Sequence, residues 1–227
     1  MRAAVFLNGS PDPPGLIRVV AGRGDLVVAA DGGARHALGS GVVPDLIVGD
    51  LDSLGEELAR EAERRGASLE RHPARKDKMD GHLAVLAARR LGASAADLLC
   101  ATGGRISALF AVPHVLLAAE RAGLSSTVVA GWGWAFVVED GSRVVGGRAG
   151  ESLSVFPVSG VADGVDLEGF EYPLAGARIE AGDTVGFHNE LLGQSARVAV
   201  KRGALFVIHE TGWDGARTAP GAGGGTV

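Results

Sequence analysis

Asp50 and Asp52 stand two residues apart in Val48-Gly49-Asp50-Leu51-Asp52-Ser53, directly after the apolar run Leu46-Ile47-Val48. In an extended chain such a pair projects to one side of the strand's end, which is where an α/β sheet binds its ligand. Two carboxylates on one side repel each other unless a cation lies between them. Hard oxygen donors of this kind suit Mg²⁺ holding a nucleotide phosphate. Asp31 closes another apolar run ahead of Gly32-Gly33. In Lys76-Asp77-Lys78-Met79-Asp80 the two aspartates are three apart, the spacing of one helix face. Each aspartate alone is an ordinary cap or turn former. Four or five of them at the ends of successive elements need neutralising, and a metal does that.

A phosphate site would have to be built without the standard loops, because no Walker-type run and no dinucleotide fingerprint after a strand occurs. Gly103-Gly104-Arg105 lies between a strand and a helix. Its glycines would let backbone approach a phosphate that Arg105 clamps, although an ordinary strand-to-helix turn explains the spacing equally well. Lys76 either neutralises phosphate charge or pairs with Asp77 in solvent. Arg71, His72 and Arg75 read as a solvated loop, and His36, His82 and His114 lack metal-ligand spacing.

The elements that must position these residues alternate in the first half. Strands are expected at 3–7, 26–30, 46–48, 69–71 and 97–101, and helices at 34–38, 55–65 and 80–91, the last with Leu83, Leu86, Ala87 and Leu91 at helical spacing. The strands are apolar on both faces, as in a parallel sheet covered by helices. The pattern predicts a Rossmann-like, doubly wound α/β domain. Pro113 predicts a kink or a late start in the helix after Arg105. Beyond residue 130 short strands dominate, at 136–138, 142–145, 153–156, 184–187, 196–200 and 205–208, which reads as a small all-β sandwich. The expected division is 1–135 for nucleotide and metal, 136–215 for the acceptor, and 216–227 as a disordered tail.

Composition narrows the classes. Acidic residues number 27 against 22 basic, and the basic ones are scattered, so a nucleic-acid footprint is missing. Residues 1–7 are too short an apolar run for a secretory leader, and no run reaches membrane-spanning length. Cys100 is the only cysteine, so an internal disulfide is impossible; a cytoplasmic protein is expected.

Taken together the motifs resemble the thiamine pyrophosphokinase family. They are Ala30-Asp31-Gly32-Gly33, Pro44-Asp45, Gly49-Asp50-Leu51-Asp52-Ser53, Lys76 to Asp80, Gly103-Gly104-Arg105, Leu167-Glu168-Gly169-Phe170-Glu171-Tyr172-Pro173-Leu174 and Asn189-Glu190. The resemblance runs in order along nearly the whole chain. It implies a homodimer that transfers the pyrophosphate of ATP to the hydroxyl of thiamine, or of a related heterocycle such as a pterin, leaving AMP. On that resemblance Asp50, Asp52 and Asp80 hold Mg²⁺, and Asp77 joins Asp50 and Asp52 in catalysis, orienting or deprotonating the acceptor. Asp31, Gly32, Gly33, Lys76, Gly103, Gly104 and Arg105 bind nucleotide, and His188, Asn189 and Trp213 bind the acceptor.

Several positions depart from the family pattern. Arg35 stands where Asn is usual, Met79 where Thr is usual, and His188 replaces the Ser of Ser-Asn-Glu. After Gly-Gly-Arg the usual Leu-Asp-His is Ile106-Ser107-Ala108, and a later Asn is Val112. These changes fall beside the phosphate loop and the acceptor, so a non-catalytic nucleotide- or thiamine-binding homologue is the reading that competes with an enzyme.

Overall fold

The computed structural model describes residues 1–212, and the chain divides between Gly131 and Trp132 into two units. In the first unit the apolar runs become β1 (Arg2–Phe6), β2 (Leu26–Ala30), β3 (Leu46–Gly49), β4 (Ser68–Arg71), β5 (Ala95–Leu99) and β6 (Ser125–Ala130). All pair in parallel, in the order β4-β3-β2-β1-β5-β6. Ala3, Ala4, Val5 and Phe6 are each 0 % exposed, so β1 is covered on both faces. That is why its sequence shows no alternation.

The connections carry α1 (Pro14–Ala21), α2 (Gly33–Gly39), α3 (Glu56–Arg64), α4 (Asp80–Arg90) and α5 (Ile106–Arg121). The order turns back between β1 and β5. Beyond their C-terminal ends lies the crevice such a sheet offers to ligands. The expected helix at 80–91 is present, but its buried face is Gly81, Ala84, Val85, Ala87 and Ala88, while Leu91 is exposed. Small residues let this helix sit close on the sheet, and its leucines lie at the margin. Pro113 does not delay α5, which starts at Ile106 and continues through it. The helix α1, with Pro14 in its first turn, was not anticipated from the sequence.

The second unit contains β7 (Gly133–Glu139), β8 (Ser142–Gly146), β9 (Ser152–Pro157), β10 (Val161–Glu168), β11 (Leu174–Glu180), β12 (Asn189–Glu190), β13 (Ser195–Arg202) and β14 (Ala204–Glu210). They form two antiparallel layers, β12-β9-β14-β7 and β11-β10-β13-β8. Phe136, Leu153 and Leu205 from one layer share a core with Val165, Val198 and Ile179 from the other, the arrangement of a sandwich. The strand expected at 184–187 is a turn. Gly186 has φ 86°, and a side chain there would lie 2.4 Å from Val155 Cγ2. Trp213 and the expected tail lie outside the described residues. Among the described residues no helix is long and apolar enough to cross a membrane.

Candidate functional site

Three of the strand ends close on non-glycine residues in the left-handed region: Asp31 (φ 42°) after β2, Leu51 (φ 65°) after β3 and Cys100 (φ 53°) after β5. Such conformations are uncommon outside glycine and cluster where a fold over-determines them. Their effect at β3 corrects the extended-chain expectation for Asp50 and Asp52. The strand stops at Gly49, Leu51 turns inward to 3 % exposure, and the left-handed turn rather than a strand pleat sets the two carboxylates together.

Asp31 is 4 % exposed. Its carboxylate accepts the Leu54 amide at 3.1 Å and the Ser53 amide at 3.3 Å. Burial pushes its pKa up, and those amide hydrogen bonds offset only part of the cost. One carboxylate oxygen from each of Asp31, Asp50 and Asp52 lies within 4.8 Å of the others. Gly49 makes this approach possible. A Cβ at residue 49 would stand 2.8 Å from Asp31 Cβ and 3.1 Å from Asp80 Oδ1.

Lys76 occupies the other side of the cluster. Its ammonium is 3.1 Å from Asp50 Oδ2 and 3.1 Å from Asp80 Oδ1. The hydrogen bond from Lys76 holds the Asp50 carboxyl below its usual range. Burial alone would lower Lys76, but Asp80 and Asp50 together carry it above its ordinary value. The Asp77/Asp80 helix-face pair is not formed, because α4 begins at Asp80 after an extended Met79. Asp77 precedes the helix and is exposed. The pairing that does form is Lys76 with Asp80, four residues apart, with Lys76 ahead of the helix.

Where the sheet order turns back, the segment after β1 packs on the segment after β5. Gly9 N donates to Cys100 O at 2.8 Å, and Ser10 N donates to Thr102 O at 2.7 Å. A Cβ on Gly9 would fall 2.4 Å from Thr102 O, and one on Gly103 would fall 2.2 Å from Ser10 Oγ. Asp12 fastens the same place by accepting the amides of Cys100 (2.7 Å) and Gly131 (3.3 Å).

These loops enclose a cavity of about 610 Å³. Asp31, Asp50, Asp52, Lys76, Asp77, Asp80, Gly104 and Arg105 line it, joined by Asn8 and Gly9, which belong to none of the motifs read from the sequence. Ala108, Val112 and Val115 make its α5 wall apolar. Gly32, Gly33 and Gly103 stand behind the lining. A side chain at residue 32 would meet the Asn8 amide at 2.5 Å, and one at residue 33 would meet Phe6 O at 2.4 Å. Their smallness lets the walls close.

In the second unit His188 (φ 52°) is exposed, its Nδ1 3.2 Å from Ser152 Oγ and its amide donating to Ser154 Oγ at 3.0 Å. Asn189 is 1 % exposed and largely committed internally. Its Oδ1 accepts the amides of Tyr172 (2.9 Å) and Glu190 (3.0 Å), and its Nδ2 donates to Tyr172 O (2.7 Å).

Comparison with known proteins agrees with this layout. Residues 18–128 match the family model described as thiamin pyrophosphokinase, catalytic domain, and residues 143–205 match thiamin pyrophosphokinase, vitamin B1 binding domain. Thiamine pyrophosphokinase of Bacillus subtilis is 25 % identical over 187 residues, covering 82 % of this chain and 87 % of that protein. The crystal structure of thiamin pyrophosphokinase from Geobacillus thermodenitrificans superposes with a TM-score of 0.79 at 28 % identity, over 94 % of this chain and 99 % of that one. That of a thiamin pyrophosphokinase family protein from Enterococcus faecalis gives 0.78 at 24 % identity, covering 94 % and 100 %.

Proposed function

The chain belongs to the thiamin pyrophosphokinase family, and from that premise we propose that it transfers the pyrophosphate of ATP to the hydroxyl of thiamine, releasing AMP. The observation that carries this reading is the Asp31, Asp50 and Asp52 cluster, with oxygens within 4.8 Å, in the lining of the cavity and just after β2 and β3. Three carboxylates this close, one of them buried, fit a hard divalent cation such as Mg²⁺. Asp50 and Asp52 would hold it, with Asp31 or Asp80 completing the set.

In the proposed reaction the acceptor oxygen bonds to the β-phosphorus while the bond from that phosphorus to the α–β bridging oxygen breaks. AMP departs with the electron pair. Bound Mg²⁺ would supply charge stabilisation to the oxygens on which negative charge grows. The chain's own residues supply position, which is most of what a phosphoryl-type transfer requires. Lys76, already placed against two carboxylates, would move to the phosphates once a cation takes over its partners. Arg105 and the turn at Gly104 would hold the phosphate oxygens. Asp77 lines the cavity and is free to accept the hydroxyl proton. Acceptor recognition would fall to the second unit, and a cytoplasmic homodimer is the expected form.

The test is an assay of purified protein with ATP, Mg²⁺ and thiamine. Stoichiometric AMP and thiamine diphosphate support the proposal. Absence of both, from protein whose fold is intact by circular dichroism, would end it.

A further inference from the structure

Arg35 lies on the exposed side of α2, four residues after Asp31. Its Nε donates to the carbonyl of Ser53 at 2.7 Å, and its Nη2 donates to the carbonyl of Leu54 at 2.7 Å. The amides of the same two residues are the ones Asp31 accepts. All four backbone polar groups of Ser53-Leu54 are therefore held by two side chains from one short segment, the carboxylate on the N–H side and the guanidinium on the C=O side. A planar fork with several donors suits this two-carbonyl grip, which Lys can only half reproduce.

The dipeptide so gripped closes the loop that presents Asp50 and Asp52. Within it, Asp52 N donates to Asp50 Oδ1 at 3.3 Å and Gly55 N donates to Leu51 O at 2.9 Å. The loop needs an external restraint, because it turns on the left-handed Leu51 and brings like charges together. Asp31 alone cannot be that restraint without cost. Both of its oxygens accept amides of the loop, and one of the two is the oxygen that meets Asp50 and Asp52. Arg35 holds the loop from outside the cluster and uses no metal-facing oxygen.

We infer that Arg35 is a positioning residue for the cation site, fixing the Asp50–Asp52 turn through the carbonyls of Ser53 and Leu54. The inference rests on the reading of the aspartate cluster as a cation site. Groups that orient metal ligands without touching the metal typically change affinity by about 10- to 100-fold when removed.

The experiment uses the full chain and its Arg35→Met and Arg35→Lys variants with two readouts independent of turnover. One is Mn²⁺ affinity measured by electron paramagnetic resonance on protein without nucleotide. The other is hydrogen exchange of the peptide spanning residues 50–56. For Arg35→Met the expected result is Mn²⁺ binding weakened about tenfold and exchange of the loop amides faster by a similar factor. Arg35→Lys should fall between this variant and the parent. If Arg35→Met does not fold, Arg35→Gln, which keeps one donor, is read in the same way. Unchanged Mn²⁺ affinity, or unchanged exchange of the loop, overturns the inference. A parent protein that makes thiamine diphosphate while Arg35→Met keeps full Mn²⁺ affinity overturns this inference alone. A parent that binds no Mn²⁺ and forms no AMP overturns the proposed function as well.

Discussion

Lys76 Nζ stands 3.1 Å from Asp50 Oδ2, so the carboxylate proposed to hold the cation already has a cationic partner from the chain. Replacing that partner, as in Lys76→Met, should cost the metal-free protein about 1 kcal/mol, a modest figure for a partly solvated pair. Added Mg²⁺ should recover more stability in the variant than in the parent. Thermal melts with and without Mg²⁺ check this. The pH sign follows from the lowered Asp50 pKa. The pair stabilises fully above the ordinary carboxylate value of 3.8 and loses its contribution as pH falls through the lower folded-state value. Parent and variant melting temperatures should therefore converge below that value and separate above it.

Gly49→Ala should damage the site from behind. The added methyl meets Asp31 Cβ and Asp80 Oδ1, and φ 153° is unfavourable for any side chain. A loss of about 1–3 kcal/mol is expected, with the Mg²⁺ concentration for half-maximal rate rising. Chemical denaturation and a Mg²⁺ titration of initial rate measure the two effects.

Gly9→Ala tests the opposite wall. The methyl would press on the carbonyls of Thr102 and Cys100 and force apart the loops after β1 and β5. Nucleotide KM should rise at least tenfold, an increase equivalent to about 1.4 kcal/mol of binding. Mn²⁺ affinity without nucleotide should stay within about twofold, because the aspartate cluster lies on other loops. Equal loss of both would show that the walls are not separable.

Asn189→Ala removes the partner of both backbone groups of Tyr172 and of the Glu190 amide. Each of these part-buried hydrogen bonds contributes about 0.5–1.5 kcal/mol, so the second unit should melt earlier. The acceptor KM should rise while the Mg²⁺ requirement stays unchanged, which steady-state kinetics in each substrate will show.

Cys100 offers a reporter. Burial pushes its thiol up to about 11, leaving about one in a thousand ionised at pH 8. Alkylation by iodoacetamide should therefore be slow in the folded protein and rise in step with unfolding. Rapid alkylation under native conditions would show that the turn after β5 opens locally.

How legible the fold was depended on what each residue type reveals alone. The parallel strands were evident from unbroken apolar runs, and α4 from its period, yet of Leu83, Leu86, Ala87 and Leu91, which that period selected, Ala87 alone lies on the packed face with Gly81, Ala84, Val85 and Ala88. β10 was hidden because Asp163, Gly164 and Asp166 interrupt its apolar residues, and residues 184–187 looked like a strand only because Val185 and Phe187 alternate while both are exposed. In the site, the aspartates were legible as a charge pattern. The turns that bring them together were not, since these depend on Asp31 and Leu51 adopting a backbone conformation that neither residue type signals. Arg35 was visible only as a departure from the family pattern, because its partners are carbonyls and carbonyls leave no mark in a sequence.

The pairing of β1 with β5 also bears on how the protein is made. Arg2 pairs with Ala95 and Phe6 with Leu99, so during synthesis β1 waits roughly ninety residues for one of its two neighbours. Until then β1, β2, β3 and β4 can assemble with one edge of β1 open and apolar, a template for pairing with another nascent chain. The cavity cannot close before that edge is filled, because the Gly9 and Ser10 amides find their acceptors only beyond β5. Ribosome-stalled chains ending before β5 should thus be chaperone clients without a ligand site, and extension through β6 should create the site and remove the edge together.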